Sequence, residues 1–225
     1  MKSIGDIMTS EFLVRLPMER VAVLIGPKGS TKKRLEELTG CKLIVNSDNG
    51  NVLVIMEDEI DDPVVLWKAR DMVKAIGRGF SPHKVYHIMR SDFGFELIQI
   101  RDIIGAKPSA LQEVRSRVIG KKGRTRNTIE QSAGVFLSVF GNTISIIGEF
   151  QKMHIVRDAI IQLINGSKHT KVYGFIERKM RELKENKQKM WIATGSEEDL
   201  ASISDLNELE RIVFEQEKQE NKNSE

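Results

Sequence analysis

The residues of this chain whose types and spacing could do chemistry stand in Ile119-Gly120-Lys121-Lys122-Gly123-Arg124-Thr125-Arg126 and, ninety-four residues earlier, in Ile25-Gly26-Pro27-Lys28-Gly29-Ser30-Thr31-Lys32. The chemistry is non-covalent. Two glycines at this spacing let the backbone turn tightly, and without a Cβ they let another backbone come close. The helix that restarts after each turn offers free N–H groups and the positive end of its dipole, which suits a phosphate. A single Gly-x-x-Gly between helices is commonly only a turn. Its duplication in matching surroundings, with lysines inside, points to a grip on an anionic strand.

Other chemistries find less support. Neither glycine loop has the Gly-x-x-x-x-Gly-Lys-Ser/Thr order of a P-loop. The carboxylates Asp58, Glu59, Asp61 and Asp62 form one loop run that reads as a solvated turn rather than a metal site. Cys41 is the only cysteine, so an internal disulfide and a multi-cysteine zinc site are excluded. His83 and His87 share a helix face but lack an evident third ligand. No cofactor, no metal and no catalytic activity are expected.

Net charge is +3, yet its distribution matters more than the total. Residues 1–80 contribute 0, residues 81–166 contribute +5, residues 167–191 contribute +5 and residues 192–225 contribute −7. A basic second half followed by an acidic tail calls for a polyanionic partner. Apolar runs such as Val21–Ile25 and Val52–Met56 are too short to span a bilayer, and the start lacks an apolar signal core. No membrane association is expected, and the chain reads as cytoplasmic.

The elements that position the two loops can be read in order. Phe12–Leu16 predicts a strand ended by Pro17, and Met18–Ile25 a short helix running into the first loop. Ser30 or Thr31 would cap the next helix, to about Leu38, and Gly40 would close it. Cys41–Val45 and Val52–Met56 predict a hairpin about Ser47–Asn51. Asp62-Pro63 pairs an N-cap with an N1 proline, opening a helix with Val65, Leu66, Ala69, Met72, Val73 and Ile76 on one stripe before Gly77 stops it. Ser81-Pro82 would cap a helix to about Arg90, followed by a strand over Phe95–Ile100. Ser109 with Gln112 makes a capping box for the helix Ala110–Ile119, and Thr125–Ser132 follows the second loop, closed by Gly134.

The second half then repeats the first. Leu137 and Val139 match Leu43 and Val45, and Ile144, Ile146 and Ile147 match Val52, Val54 and Ile55. Gly166 falls where the first copy has Gly79. Repetition of this length signals two copies of one domain. Beyond Lys168, Val172, Phe175, Ile176, Met180 and Leu183 form a helical stripe expected to pack on the second copy, with basic residues from Arg178 to Lys189 on other faces. The tail holds Leu200, Ile203, Leu206 and Leu209, enough for an acidic amphipathic helix, with disorder expected from about Glu215.

The order of elements and the turns Ile25-Gly26-Pro27-Lys28-Gly29 and Ile119-Gly120-Lys121-Lys122-Gly123 resemble a tandem of type I KH domains over about residues 8–166. More narrowly, Gly77-Arg78-Gly79-Phe80 at the junction and the basic helix after the second copy resemble the archaeal two-KH proteins of the Dim/partner-of-Nob type. The resemblance implies an α+β fold. It would comprise two KH domains, at 1–80 and 81–166, each a three-stranded sheet packed on three helices. A C-terminal helical extension would follow, made of a basic helix at 167–191 and an acidic, partly disordered tail at 192–225.

It also implies binding of single-stranded RNA, namely small-subunit rRNA near its 3′ end during ribosome maturation, beside a PIN-domain endonuclease and a translation initiation factor subunit. Eukaryotic members are described with a degenerate first Gly-x-x-Gly, whereas this chain keeps both glycines in copy one.

In a KH fold each loop clamps about four single-stranded nucleotides, with the bases in a groove beside it. The expected contacts in copy two are Gly120, Lys121, Lys122, Gly123, Arg124, Arg126 and Arg117, with Arg115 nearby and Ile119, Leu137 and Val139 as apolar floor. Those in copy one are Gly26, Pro27, Lys28, Gly29 and Lys32. There Pro27 removes an N–H donor, and Glu36 and Glu37 weaken the field. Copy two is therefore expected to bind more strongly. The competing reading is a generic KH adaptor in mRNA or translation-initiation complexes.

Overall fold

The structure, a computed structural model, describes residues 11–56 and 62–194. The acidic run at Asp58, Glu59 and Asp61 and the expected acidic helix with Leu200, Ile203, Leu206 and Leu209 lie outside the described residues. The chain divides into compact units Met1–Glu177 and Arg178–Glu225.

In the first unit, alternating apolar residues build β1 (Glu11–Arg15), whose Val14 turns inward while Leu13 faces out. Pro17 ends it, and α1 (Met18–Ile25) buries Val21 and Leu24 one turn apart. After the first glycine loop comes α2 (Ser30–Thr39), closed by Gly40 in the left-handed region, φ 63°. β2 (Cys41–Val45) and β3 (Asn51–Met56) form the hairpin, and β1 joins the far side of β3, giving the antiparallel order β1-β3-β2. Register is fixed by the pairs Leu13↔Leu53 and Leu43↔Val54. α3 (Pro63–Gly77) starts as the sequence predicts: Pro63 is its first residue and the Asp62 carboxylate accepts from Val64 N–H at 2.9 Å. Its Leu66, Ala69, Met72, Val73 and Ile76 close the core over the sheet.

α4 (Pro82–Tyr86), continued by a 3-10 turn at His87–Met89, leads to β4 (Phe93–Gln99). Then come α5 (Ile100–Ile104), α6 (Pro108–Ile119), the second glycine loop and α7 (Arg124–Ala133). β5 (Phe136–Phe140), β6 (Thr143–Glu149) and α8 (Phe150–Ile164) complete the copy, with sheet order β4-β6-β5. The fold is two KH domains, each a three-stranded antiparallel sheet with helices, followed by α9 (His169–Thr194).

Several local expectations are corrected. Neither Ser30 nor Thr31 caps α2: Gly29, at φ 79°, is the N-cap, and Ser30 is already helical. Ser109 caps nothing, because Pro108 starts the helix two residues earlier than Ala110 and places Ser109 inside it. α3 runs through Gly77, and the positive φ of 95° that turns the chain belongs to Gly79. β4 begins at Phe93 rather than Phe95, and Ile100 opens α5, a helix absent from the sequence reading.

The junction Gly77-Arg78-Gly79-Phe80 locks the copies together. Phe80 is 2% exposed within the core cluster of the first copy, which also takes in Val85, Ile88, Phe93 and Ile147. Arg20 donates to the carbonyls of Ile76 (2.8 Å) and Phe80 (2.6 Å). A Cβ on Gly79 would press on Ser138 and Phe140, and Ser138 Oγ donates to the Arg78 carbonyl at 2.8 Å. His87 lies against the rings of Phe93 and Phe136. The outer face of the second sheet is thereby covered: Ser138, Ser145 and Ile147 are all buried.

At the start of α9, Val172 and Ile176 are buried as the stripe predicts. Within the second unit Lys179 donates to Glu182 at 2.6 Å, and that bond, ahead of the charges of Lys179 and Arg178, lowers the Glu182 pKa. Such pairs are typical of a solvated helix face.

Candidate nucleic-acid interface

Each glycine loop grows out of the end of one helix and into the start of the next, α1 into α2 and α6 into α7. Both follow the same path. Gly26 and Gly120 sit at φ 71° and 75° with ψ 173°, and Gly29 and Gly123 at φ 79° and 74° with ψ near zero. Between them Lys28 and Lys122 both adopt φ 53°, and they are the positive-φ residues other than glycine among the described residues. A left-handed lysine costs about 1–2 kcal/mol, and such strain concentrates where a ligand is held. Pro27, Lys28, Lys121 and Lys122 all face solvent.

The two glycines of each loop do different jobs. A Cβ on Gly26 would overlap Thr31 Oγ1, and one on Gly120 would overlap Thr125 Oγ1; both threonines are buried. The first glycine therefore closes the loop onto the helix it precedes. A Cβ on Gly29 or Gly123 would meet nothing within 4 Å. The second glycine leaves open space over the loop, where another backbone can approach. No side chain caps α2 or α7, so the first-turn N–H groups keep no side-chain acceptor.

A second repeated device supports the groove. Glu36 Oε1 accepts from Leu43 N–H at 2.8 Å, and Glu130 Oε1 accepts from Leu137 N–H at 2.7 Å, ninety-four residues on. β2 and β5 are edge strands, so each carboxylate satisfies an edge donor and ties the helix after the loop to the strand beside it. Glu36 is thus a feature common to both copies, not a weakness of the first. Repetition at the same offset was the available signal for this pair and for Thr31/Thr125.

The expected contact residues divide by environment. Among the described residues, Lys121, Lys122 and Arg124 enter no ion pair, and Arg126 reaches Glu130 at 3.3 Å. In copy one Lys32 reaches Glu36 at 3.8 Å and Arg34 pairs with Glu37 at 3.3 Å, while Lys28 and Lys33 enter no ion pair among the described residues. Ile119 is 37% exposed and Val139 half-buried, so both can line a groove. Leu137 is 0% exposed and belongs to the core, which corrects its place in the floor. Arg117 is corrected too: it donates to the carbonyls of Gly166 (2.7 Å) and Ser167 (2.9 Å), while His169 Nε2 contacts the Arg117 carbonyl at 3.0 Å. Its guanidinium anchors the start of α9. Arg115 likewise donates to the Gly141 carbonyl at 3.2 Å.

Lys84 of α4 stands over the Phe136 ring, 5.1 Å from its centre, at the edge of β5. Burial pushes its pKa below the ordinary lysine value, partly offset by Glu130 and reinforced by Arg126. Among the described residues no group of three or more histidines, cysteines or carboxylates could hold a metal, and no helix is long and apolar enough to cross a membrane.

A family model of the eukaryotic-type KH domain (KH-domain type I) matches residues 94–181, and the KH domain model matches residues 11–63. The KH domain-containing protein MJ0443 of Methanocaldococcus jannaschii is 38% identical over 189 residues, covering 84% of this chain and 82% of that protein. The pre-rRNA-processing protein PNO1 of Phaeosphaeria nodorum is 30% identical over 125 residues, 55% of this chain and 48% of that protein, so the chain spans about half of this eukaryotic relative. A solved structure described as an a/eIF2alpha-aDim2p-rRNA complex from Pyrococcus horikoshii is 42% identical, with a TM-score of 0.73 over 79% of this chain and 97% of the matched one. With two type I KH folds in tandem and a relative this similar over most of both lengths, the chain belongs to the two-KH-domain pre-rRNA-processing family of MJ0443, PNO1 and Dim2p.

Proposed function

We propose that this chain is a non-catalytic protein that binds single-stranded RNA in rRNA processing, its two Gly-x-x-Gly loops gripping the sugar-phosphate strand. The observation that carries this reading is the open space above Gly123 within an exposed loop of unpaired cations. The names of its relatives support the process, and the complex of Dim2p with rRNA supports the ligand class. The finer reading is that the strand lies near the 3′ end of small-subunit rRNA and that the protein positions it for maturation. The domain boundaries at residues 80 and 166 belong to the same reading. So does the stronger grip of copy two, supported by Lys121 and Arg124, which stand where copy one has Pro27 and Ser30, and by the pairing of Arg34 with Glu37 in copy one.

Crosslinking the protein to total RNA and mapping the contacted nucleotides tests it. A cluster at the 3′ end of small-subunit rRNA is expected. Scatter over messenger RNA would favour an adaptor of translation initiation, which the a/eIF2alpha subunit in the relative's complex brings into view. A translation initiation factor subunit is accordingly proposed as a protein partner, and a PIN-domain endonuclease as a second, on family membership alone.

A further inference from the structure

A cleft of about 430 Å³ opens between the two copies, away from both glycine loops. One wall is β1 and α3 of the first copy, the other β4 of the second. It is lined by the apolar residues Leu13, Val14, Phe95 and Leu97 and by the cations Arg15, Arg70, Lys74 and Arg78. Among the described residues the one carboxylate in this lining, Asp71, is engaged by Arg70 at 2.8 Å. Among the described residues Arg15, Lys74 and Arg78 have no ion pair and no side-chain hydrogen bond.

Arg70, Lys74 and Arg78 follow one another at four-residue intervals along α3 and its C-cap. Like charges at this spacing weaken a helix, so helix stability does not account for the stripe. Burial, then the neighbouring Arg70, lowers the Lys74 pKa, with Arg78 adding to the shift and Asp71 opposing it. A row of half-buried, mutually repelling cations is relieved by an anion. Steps of four residues rise about 6 Å each, close to the interval between phosphates of an extended strand. Beside the row, Arg70 lies over the rings of Trp67 (4.7 Å) and Phe12 (5.0 Å), and Trp67 is 54% exposed. Cations along a groove with an exposed aromatic at its mouth are the equipment of single-strand binding.

We propose that this interdomain cleft is a third RNA contact, in which Lys74 and Arg78 bind successive phosphates, Arg15 faces the same strand from β1, and the apolar lining residues take the sugar and base edges. This deepens the RNA-binding reading and rests on it. Its consequence is a dependence on strand length: RNA that fills one loop does not need the cleft, and RNA that reaches across both copies does.

The test compares the full-length protein with Lys74→Ala/Arg78→Ala, a pair chosen because neither side chain holds another residue in place. Affinity is measured by fluorescence anisotropy for labelled single-stranded RNAs of about 5 and about 20 nucleotides, the shorter matched to one four-nucleotide clamp. The longer strand is expected to bind about tenfold more weakly to the variant, with a log–log salt slope shallower by about 1.4, since each phosphate contact on single strands contributes about 0.7. The shorter strand should bind both proteins alike. In a Trp191→Phe background Trp67 becomes the only tryptophan, and its emission should change on binding the longer strand alone. Unchanged long-strand affinity and slope would overturn the cleft while leaving the loops standing, and loss of an acidic peptide instead would give the cleft to a protein partner. Equal losses for both lengths would also overturn it. If the unmodified protein binds neither strand, the RNA-binding reading itself falls.

Discussion

Replacing Gly120 by alanine should unfold this protein far more readily than the same change three residues on. Gly120 occupies φ 75°, ψ 173°, a region open essentially to glycine, at about 1–3 kcal/mol for any other residue. The added Cβ would also overlap Thr125 Oγ1 and lie 2.8 Å from Thr125 N, with α7 packed behind it. Overpacking of that kind costs about 1–3 kcal/mol more. Gly123, at φ 74°, ψ 6°, has no atom within 4 Å of its Cβ position, so only the left-handed backbone counts, about 1 kcal/mol. At roughly 2–4 °C per kcal/mol for a chain of this size, Gly120→Ala should lower Tm by about 10 °C and Gly123→Ala by about 3 °C. Thermal unfolding followed by circular dichroism measures both, and Thr125→Ala in the Gly120→Ala background should recover part of the loss. Equal Tm values for the two glycine variants would refute the division of labour within the loop.

Three further outcomes follow from the same geometry. Arg20→Ala should destabilise by about 2–4 kcal/mol in urea unfolding, because it strands the carbonyls of Ile76 and Phe80, and Arg20→Lys should recover little since one ammonium cannot copy the two-pronged contact. Lys121→Ala/Lys122→Ala should flatten the log–log salt dependence of RNA affinity by about 1.4, read from titrations at several salt concentrations; an unchanged slope would mean that the loop lysines touch no phosphate. Burial lowers the Lys84 pKa from 10.5, so the unfolded chain holds that proton more tightly than the folded one. Stability should then rise as pH climbs from the lowered value toward 10.5, and Lys84→Met should remove that part of the slope in melts across the alkaline range.

What the sequence made legible, and what it hid, follows the range of the interactions. α1, α2 and α7 could be read because apolar spacing and a closing glycine are local signals, and the doubling of Gly-x-x-Gly gave the loops. Ser109 looked like a cap because its partner Gln112 is local too, yet Pro108 one residue earlier decides where α6 starts. α5 was hidden because Ile100 continues the apolar run of β4, and the bond from its N–H to the Asn142 carbonyl, 42 residues on, is invisible to local spacing.

The site residues fared the same way. Lys121, Lys122 and Arg124 stay exposed as expected, whereas Arg117 is taken by carbonyls 49 and 50 residues away, which no spacing announces. Leu137 alternates like a groove residue but is 0% exposed in β5, its N–H donating to Glu130 of α7. The cleft cations Arg15, Lys74 and Arg78 come from β1 and α3, far apart in sequence, and meet Phe95 and Leu97 only when the copies pack, so each alone reads as a solvated charge.

The most direct test of the central claim is RNA affinity of Gly123→Asp in a filter-binding assay, with circular dichroism to confirm the fold. The open space at Gly123 predicts a folded protein that has lost most of its RNA binding, with a smaller loss for Gly29→Asp. Undiminished affinity in folded Gly123→Asp would contradict the claim that this loop holds the strand.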